Sequence, residues 1–407
     1  MNINTDIAKT YILAGKKQTA VAALGVLLGM SIYIFMNCLI MALDRSVTTN
    51  VFKNTSHIRV YNDDKISKEL VKDDHSKYII VNPKVVPRSN TIIDPQMVSA
   101  TILKQKEVAV VTPQVNAPLF YNNGKSQISG LAVGIKPSEA NIMYDIKSTM
   151  VDGDFEALKT NPSGIVIGAG ISEKMNLSVG DNLNVTSAKG VNRTYKVMGI
   201  FKTNISALDK TKSYVNLASA QQLQKEGASY ITDINVNITN PDDAIKVSEV
   251  LAQLTGYKAE SWQESSESVV AANKMRAIVM TLVSSLILLV AGFGIYNILN
   301  MTVSQKINDI AILKAIGFKG KDVVRIFITQ ALTIGAVGVI GGVFLAIILV
   351  TILRNTYVGG DIGYFPINYE GRKFVQGVVF GLVITFLAGY FPAKKAARVD
   401  PVAIFRK

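Results

Sequence analysis

The sequence predicts an α-helical membrane protein with four transmembrane helices and a large mixed α/β extracytoplasmic domain between the first and second. Three observations carry that prediction. Four long runs contain no Asp, Glu, Lys or Arg. Basic residues crowd three of the short segments flanking those runs and are sparse in the fourth. Some 230 residues separate the first run from the second, enough for one or two compact domains. The 407 residues are 49% hydrophobic and only 18% charged, with a mean hydropathy of +0.28, more apolar than a soluble chain of this length. The net charge of +13 lies beside apolar runs, with no aromatic-interleaved basic stripe. Membrane topology therefore accounts for it better than nucleic acid does. Cys38 is the only cysteine and sits inside an apolar run, so no intrachain disulfide forms and the redox compartment stays open.

Residues 1–19 read as an amphipathic N-terminal segment carrying Lys9, Lys16 and Lys17. The first span is 20–43, about 24 residues, enough to cross a hydrocarbon core of ~30 Å. It is too long for the core of a cleaved signal, and no small-x-small site follows it, so it is expected to stay uncleaved. The remaining spans are 277–303, 326–353 and 374–393. Segments 1–19, 304–325 and 394–407 hold Lys9, Lys16, Lys17, Lys306, Lys314, Lys319, Lys321, Arg325, Lys394, Lys395, Arg398, Arg406 and Lys407. The 354–373 loop holds only Arg354, Arg372 and Lys373. The positive-inside rule then puts both termini and 304–325 in the cytoplasm, and 44–276 outside. Gly25 and Gly29, Gly338 and Gly342, and Gly377 and Gly381 have the GxxxG spacing that lets helix backbones approach closely. Asn37, Asn297, Asn300 and Gln330 are expected to face protein rather than lipid.

The external stretch alternates strand and helix patterns. Strands are expected at 57–61, 78–86, 108–113, 119–121, 127–135, 195–201, 213–216 and 231–238, with a polar excursion at 62–77. Helices are expected at 94–106, with Asp94 as N-cap and Pro95 first inside, at 217–225, and at 242–254. Asn123-Gly124 is a turn, and 164–185 reads as strand, helix, turn and strand, the turn at Val179-Gly180-Asp181. Residues 261–276 read as an amphipathic helix running unbroken into the second span, a rod able to carry motion outward.

Catalytic chemistry is absent. His57 and His75 have no ligand spacing to each other or to Cys38. Asp63-Asp64 and Asp73-Asp74 lack the spaced pattern of a calcium loop. Around Gly320-Lys321-Asp322, Asp stands where a nucleotide loop needs Ser or Thr, and Ala315 where it needs Gly. Neither an enzyme nor a metal site is expected.

Residues 304–325 stand out. Ile307, Ile310, Ala311, Leu313 and Ala315 recur at helical spacing, and Gly317 ends the helix. The apolar face is too rich for a solvated connector and suits either docking or lying on lipid headgroups. The sequence Asn308 to Gly317 (NDIAILKAIG) and the tail Phe391 to Val402 (FPAKKAARVDPV) resemble two motifs of the FtsX-like permease family of ABC transporters. Asp309 stands where that family usually has Glu. Within the family the likeness is strongest to the lipoprotein-releasing permeases, through Gly25-Val26 to Met36-Asn37, the 164–185 block, Ile200-Phe201, Tyr214 to Leu217 and the Trp262 helix. One departure is the short, proline-free turn at 187–193, where one subunit type of that branch carries a carrier-recruiting hook. Residues 62–90 look like extra sequence.

The resemblance implies a multi-pass permease subunit of a bacterial inner membrane, paired with a second permease, identical or homologous, and with a separate ABC-type ATPase. ATP and Mg would sit on that partner, and this chain would carry no cofactor. Lys306, Asp309, Ile310, Ile312, Leu313, Lys314, Ile316 and Gly317 would couple to the ATPase, lysines at the edge of the contact. Met30, Ile34, Val283 and Leu286 would line a cavity for lipoprotein or other amphiphilic cargo, with a periplasmic carrier as a further partner. Two alternatives stay open: export of a small molecule or peptide, as in the macrolide-exporter branch, and a signalling permease controlling a cell-wall hydrolase.

Overall fold

The computed structural model describes residues 3–63, 65–66, 85–86, 91–203, 205–359 and 363–405. The chain divides into two compact units, Met1–Val47 with Ala271–Lys407, and Thr48–Val270.

The first unit is helical. Its helices are α1 (Ile3–Ala14), α2 (Lys16–Phe52), α3 (Glu267–Gln305), α4 (Ile307–Ala315), α5 (Gly320–Arg354), α6 (Gly371–Ala397) and α7 (Pro401–Phe405). The helices α2, α3, α5 and α6 are each long and apolar enough to cross a membrane, because in hydrocarbon only a helix satisfies its own backbone within one segment.

Glycines decide how these helices pack. A Cβ on Gly338 would lie 2.6 Å from Val26 Cβ, and one on Gly342 would lie 2.7 Å from Met30 Cβ, so α5 meets α2 backbone to side chain. Gly377 and Gly381 of α6 likewise accept Ile34 and Met30. Gly29 of α2 faces Ala291 of α3, 2.8 Å from a would-be Cβ, but Gly25 has nothing within 4 Å. The expected pair in the first span is therefore a single contact. Asn37 Nδ2 donates to Tyr33 O at 2.9 Å in its own helix, which satisfies it without a neighbour. Asn300 accepts from Lys395 Nζ at 3.2 Å. Asn297 is exposed within this chain.

The second unit is a mixed α/β body around a ten-stranded sheet. Its strands are β1 (Ile58–Tyr61), β2 (Val108–Asn123), β3 (Ser126–Ile135), β4 (Met150–Gly153), β5 (Gly164–Gly168), β6 (Asn182–Ser187), β7 (Asn192–Phe201), β8 (Lys212–Asn216), β9 (Asp233–Ile238) and β10 (Lys258–Ser261). Their order is β10-β1-β9-β2-β3-β8-β5-β7-β4, with β6 paired to β2 and β7. Alternating burial along β6 and β7 places Leu183, Val185, Tyr195 and Val197 in the core.

The strands expected at 108–113 and 119–121 are one, running from Val108 to Asn123. β9 pairs with Val108–Gln114, β3 with Val115–Asn123 and β6 with Leu119–Asn122. Pro113 and Pro118 therefore each lie where β2 has a neighbour on one side only, which is where a residue without an N–H is tolerated. The helix expected at 94–106 is Pro95–Leu103, with Asp94 accepting from Met97 N at 3.2 Å. Gly180 has φ +100 at the expected turn.

The helix expected to run unbroken from 261 does not. Ser261 ends β10 and caps a short helix, Trp262–Ser265, through a capping box with Glu264. Ser266, at φ −119 and ψ 32, interrupts it before α3 begins at Glu267. Trp262 is held by its indole N–H donating to Pro241 O at 2.9 Å and by an edge contact with Phe52. Of the strand expected at 78–86, only Val85–Val86 is described, paired with Lys65–Ile66. The rest of the 62–77 excursion beyond Asp63, with Asp64, Asp73, Asp74 and His75, is otherwise outside the described residues.

Candidate functional site

The segment between α3 and α5 is built from short-range signals. Lys306, at φ −100 and ψ 17, breaks the helix after Gln305, so the coupling helix is Ile307–Ala315, shorter than the 304–320 stretch the pattern suggests. At its end Gly317 takes φ +109. Phe318 N–H donates to Leu313 O and Gly317 N–H to Lys314 O, both at 3.1 Å. These two bonds form a Schellman closure, whose left-handed residue is best filled by glycine. Asp322 then accepts from Lys319 N at 3.1 Å to start α5.

The residues expected to couple fall into two groups. Ile310 is buried in a cluster with Val303, Val323, Phe327, Ala393 and Ala396, and Ala311 beside it is fully buried. Lys314 reaches inward as well: its Nζ donates to Ala397 O at 3.1 Å and Val399 O at 2.5 Å. Ala397 ends α6, so the ammonium caps the negative end of that helix. Lys314 is thus a strut between α4 and the tail. The motif's small residues have the same cause, since Ala393 and Ala396 lie at 0% exposure where α6 meets this cluster.

The second group faces outward. Ile312 is 49% exposed and Ile316 71%. Lys306 and Asp309 form an ion pair at 3.0 Å, with the Lys306 ammonium 5.6 Å from the Tyr11 ring centroid. Beside them, α1 packs along α5, with Ala8 buried and Tyr11 6.1 Å from Phe327 between ring centroids. Between α1 and α4 lies an open groove of about 470 Å³ lined by Asp6, Ile7, Thr10, Tyr11, Asp309, Ile312 and Leu313. Sequence reasoning missed the contribution of α1. The helical recurrence of Ile7, Ala8 and Tyr11 was the available signal.

The four cargo candidates are not brought together. Met30 and Ile34 are fully buried under the glycines of α5 and α6. Val283 and Leu286 are 43% and 53% exposed on α3. Packing, not a cavity, occupies the first pair.

Two domain families match this chain: the MacB-like periplasmic core domain over residues 19–254 and the FtsX-like permease C-terminal domain over residues 281–401. The chain belongs to the FtsX-like permease family with a MacB-like core domain. It is an ABC transporter permease of the LolC and MacB kind. The lipoprotein-releasing system transmembrane protein LolC of Xylella fastidiosa (strain 9a5c) is 26% identical over 77% of this chain and 81% of its own length. LolC of Neisseria meningitidis serogroup B is 26% identical over 74% of this chain and 79% of its own. The macrolide export ATP-binding/permease protein MacB of Escherichia coli O157:H7 is 26% identical over 74% of this chain but 47% of its own length. In this FtsX-like permease, the Asn308–Gly317 motif therefore coincides with α4 and its glycine closure.

Proposed function

We propose that this chain is the permease subunit that couples ATP hydrolysis on a separate ABC-type ATPase to the release of lipoproteins from a bacterial inner membrane. The observation that carries the reading is α4: a short helix anchored on its inner face and apolar on its outer one, at Ile312 and Ile316. In this reading α1, α4 and α7 are cytoplasmic and the mixed α/β unit is periplasmic. The ATPase closes on Ile312, Ile316 and the adjoining groove. Because Ile310 and Lys314 fix α4 to α5, α6 and the tail, a push on α4 is delivered to the helix ends rather than absorbed by a loop.

A second permease completes the pair, and cargo acyl chains lie on the exposed face of α3 at Val283 and Leu286. Met30 and Ile34 support that face from inside by holding α2 against α5 and α6. The test is reconstitution of the chain with its ATPase and partner permease in proteoliposomes loaded with radiolabelled lipoprotein. ATP-dependent transfer of label to a soluble carrier is expected. Turnover of ATP with label retained, alongside macrolide efflux or activation of a cell-wall hydrolase, overturns the cargo assignment.

A further inference from the structure

A second cavity, about 510 Å³, opens where α1 turns into α2 at Gly15, and the coupling reading gives it no role. Lys16, Lys17 and Lys306 line it together with Gln305 and Gln330, and no Asp or Glu does. Lys306 is engaged with Asp309, which leaves Lys16 and Lys17, both exposed, as its positive edge. At the back, Gln330 is only 2% exposed, and its Oε1 has no hydrogen-bond partner. A buried amide oxygen is seldom left unpaired, so it marks a place for a donor that arrives with a ligand.

The cavity sits where the charge-free runs of α2 and α5 begin, at Ala20 and Ile326, and where that of α3 ends, at Val303. Lys17, Val21, Leu24 and Leu28 fall on one stripe of α2, at i, i+4, i+7 and i+11. Val21, Leu24 and Leu28 are 64%, 53% and 50% exposed. An anion-binding edge, an unpaired acceptor behind it and an apolar track leading away match one kind of molecule.

We propose that this cavity is a phospholipid-headgroup site. The phosphodiester lies against Lys16 and Lys17, a headgroup hydroxyl or ammonium donates to Gln330 Oε1, and an acyl chain follows Val21, Leu24 and Leu28. A free phosphate uses the lysines but leaves the stripe without purpose. The site ties the α1–α2 elbow to its own leaflet, and it stands whether or not the cargo is lipoprotein.

The experiment is native mass spectrometry of the delipidated full chain in mild detergent. Phosphatidylglycerol is titrated against phosphatidylmethanol of the same chains, whose headgroup has no donor. Wild type is expected to retain one phosphatidylglycerol and to prefer it over phosphatidylmethanol. A Lys near an anionic lipid surface contributes about fivefold in binding, so the Lys16→Gln/Lys17→Gln double variant should bind about thirtyfold more weakly. Gln330→Met should erase the preference between the two headgroups, a readout that a purely structural role would not move. Arg372→Gln, which removes a charge from the other end of α6, should change nothing. Three outcomes overturn the proposal: displacement of the lipid by millimolar inorganic phosphate, an equal loss in Arg372→Gln, or a headgroup preference that survives Gln330→Met.

Discussion

Replacing Lys314 with Met tests whether this residue braces the chain or touches a partner. Its ammonium donates to two main-chain carbonyls, at 3.1 and 2.5 Å, one on the last residue of α6 and one two residues beyond it. A hydrogen bond to a charged group contributes about 1.5–3 kcal/mol, and a positive charge at a helix C-terminus about 0.3–1 kcal/mol. Lys314 is only half-buried, and the two carbonyls turn to water once it is gone. The net loss should therefore be about 2 kcal/mol, near the lower end of that range. That raises the population of a detached tail about thirtyfold. Trypsin cleavage after Arg398 reads this directly, because cleavage of a rapidly opening segment tracks its open population. The full chain in detergent should be nicked about thirtyfold faster at Arg398 in Lys314→Met, with cleavage elsewhere unchanged. If nicking is unaltered while the ATPase no longer co-purifies, Lys314 acts at the partner surface and the strut assignment is wrong.

The complementary variants probe the outward face. Ile312→Asp and Ile316→Asp should leave thermal stability unchanged, since both side chains are largely exposed. Each should weaken ATPase binding by about 1.5–3 kcal/mol of lost burial, read by titration of the purified ATPase. Leu at position 342 must push Met30 and the Leu27 carbonyl aside, so Gly342→Leu should lower the midpoint of thermal unfolding by an overpacking cost of about 1–3 kcal/mol or more. A photo-crosslinker at Leu286 should capture acylated cargo and one at Ile34 should not, because Ile34 is sealed under Gly377.

His57 offers a pH test in the α/β unit. Burial holds its imidazole below the ordinary value, against the opposing effect of the Ile238 carbonyl. Its Nδ1 lies 3.1 Å from both the N and the O of Ile238. A depressed folded value means the unfolded chain binds the extra proton first. Stability from this residue is therefore complete above about pH 6.5 and falls as the pH drops through that value toward the lower folded one. Tyrosine or tryptophan fluorescence melts between pH 5 and 8 should show that slope, and His57→Gln should flatten it.

The sequence by itself determined the four apolar helices, the mixed α/β nature of residues 48–270 and the family, because charge-free length, strand alternation and two linear motifs are local properties. Local too were the cap at Asp94 and the left-handed Gly317, each written within a few residues. Partners distant in the chain were decided only by the tertiary structure. Lys314 meets carbonyls more than 80 positions away, so its inward reach has no signature in the stretch around it. Ile310 and Ile312 are equally apolar but two residues apart, on opposite faces of the helix, and the local sequence does not say which face α5 and α6 will cover. Met30 and Ile34 looked like lining for a cavity until Gly342, Gly377 and Gly381 were seen to lie over them. A glycine makes room for whichever side chain the fold brings to it, and the sequence does not name that side chain.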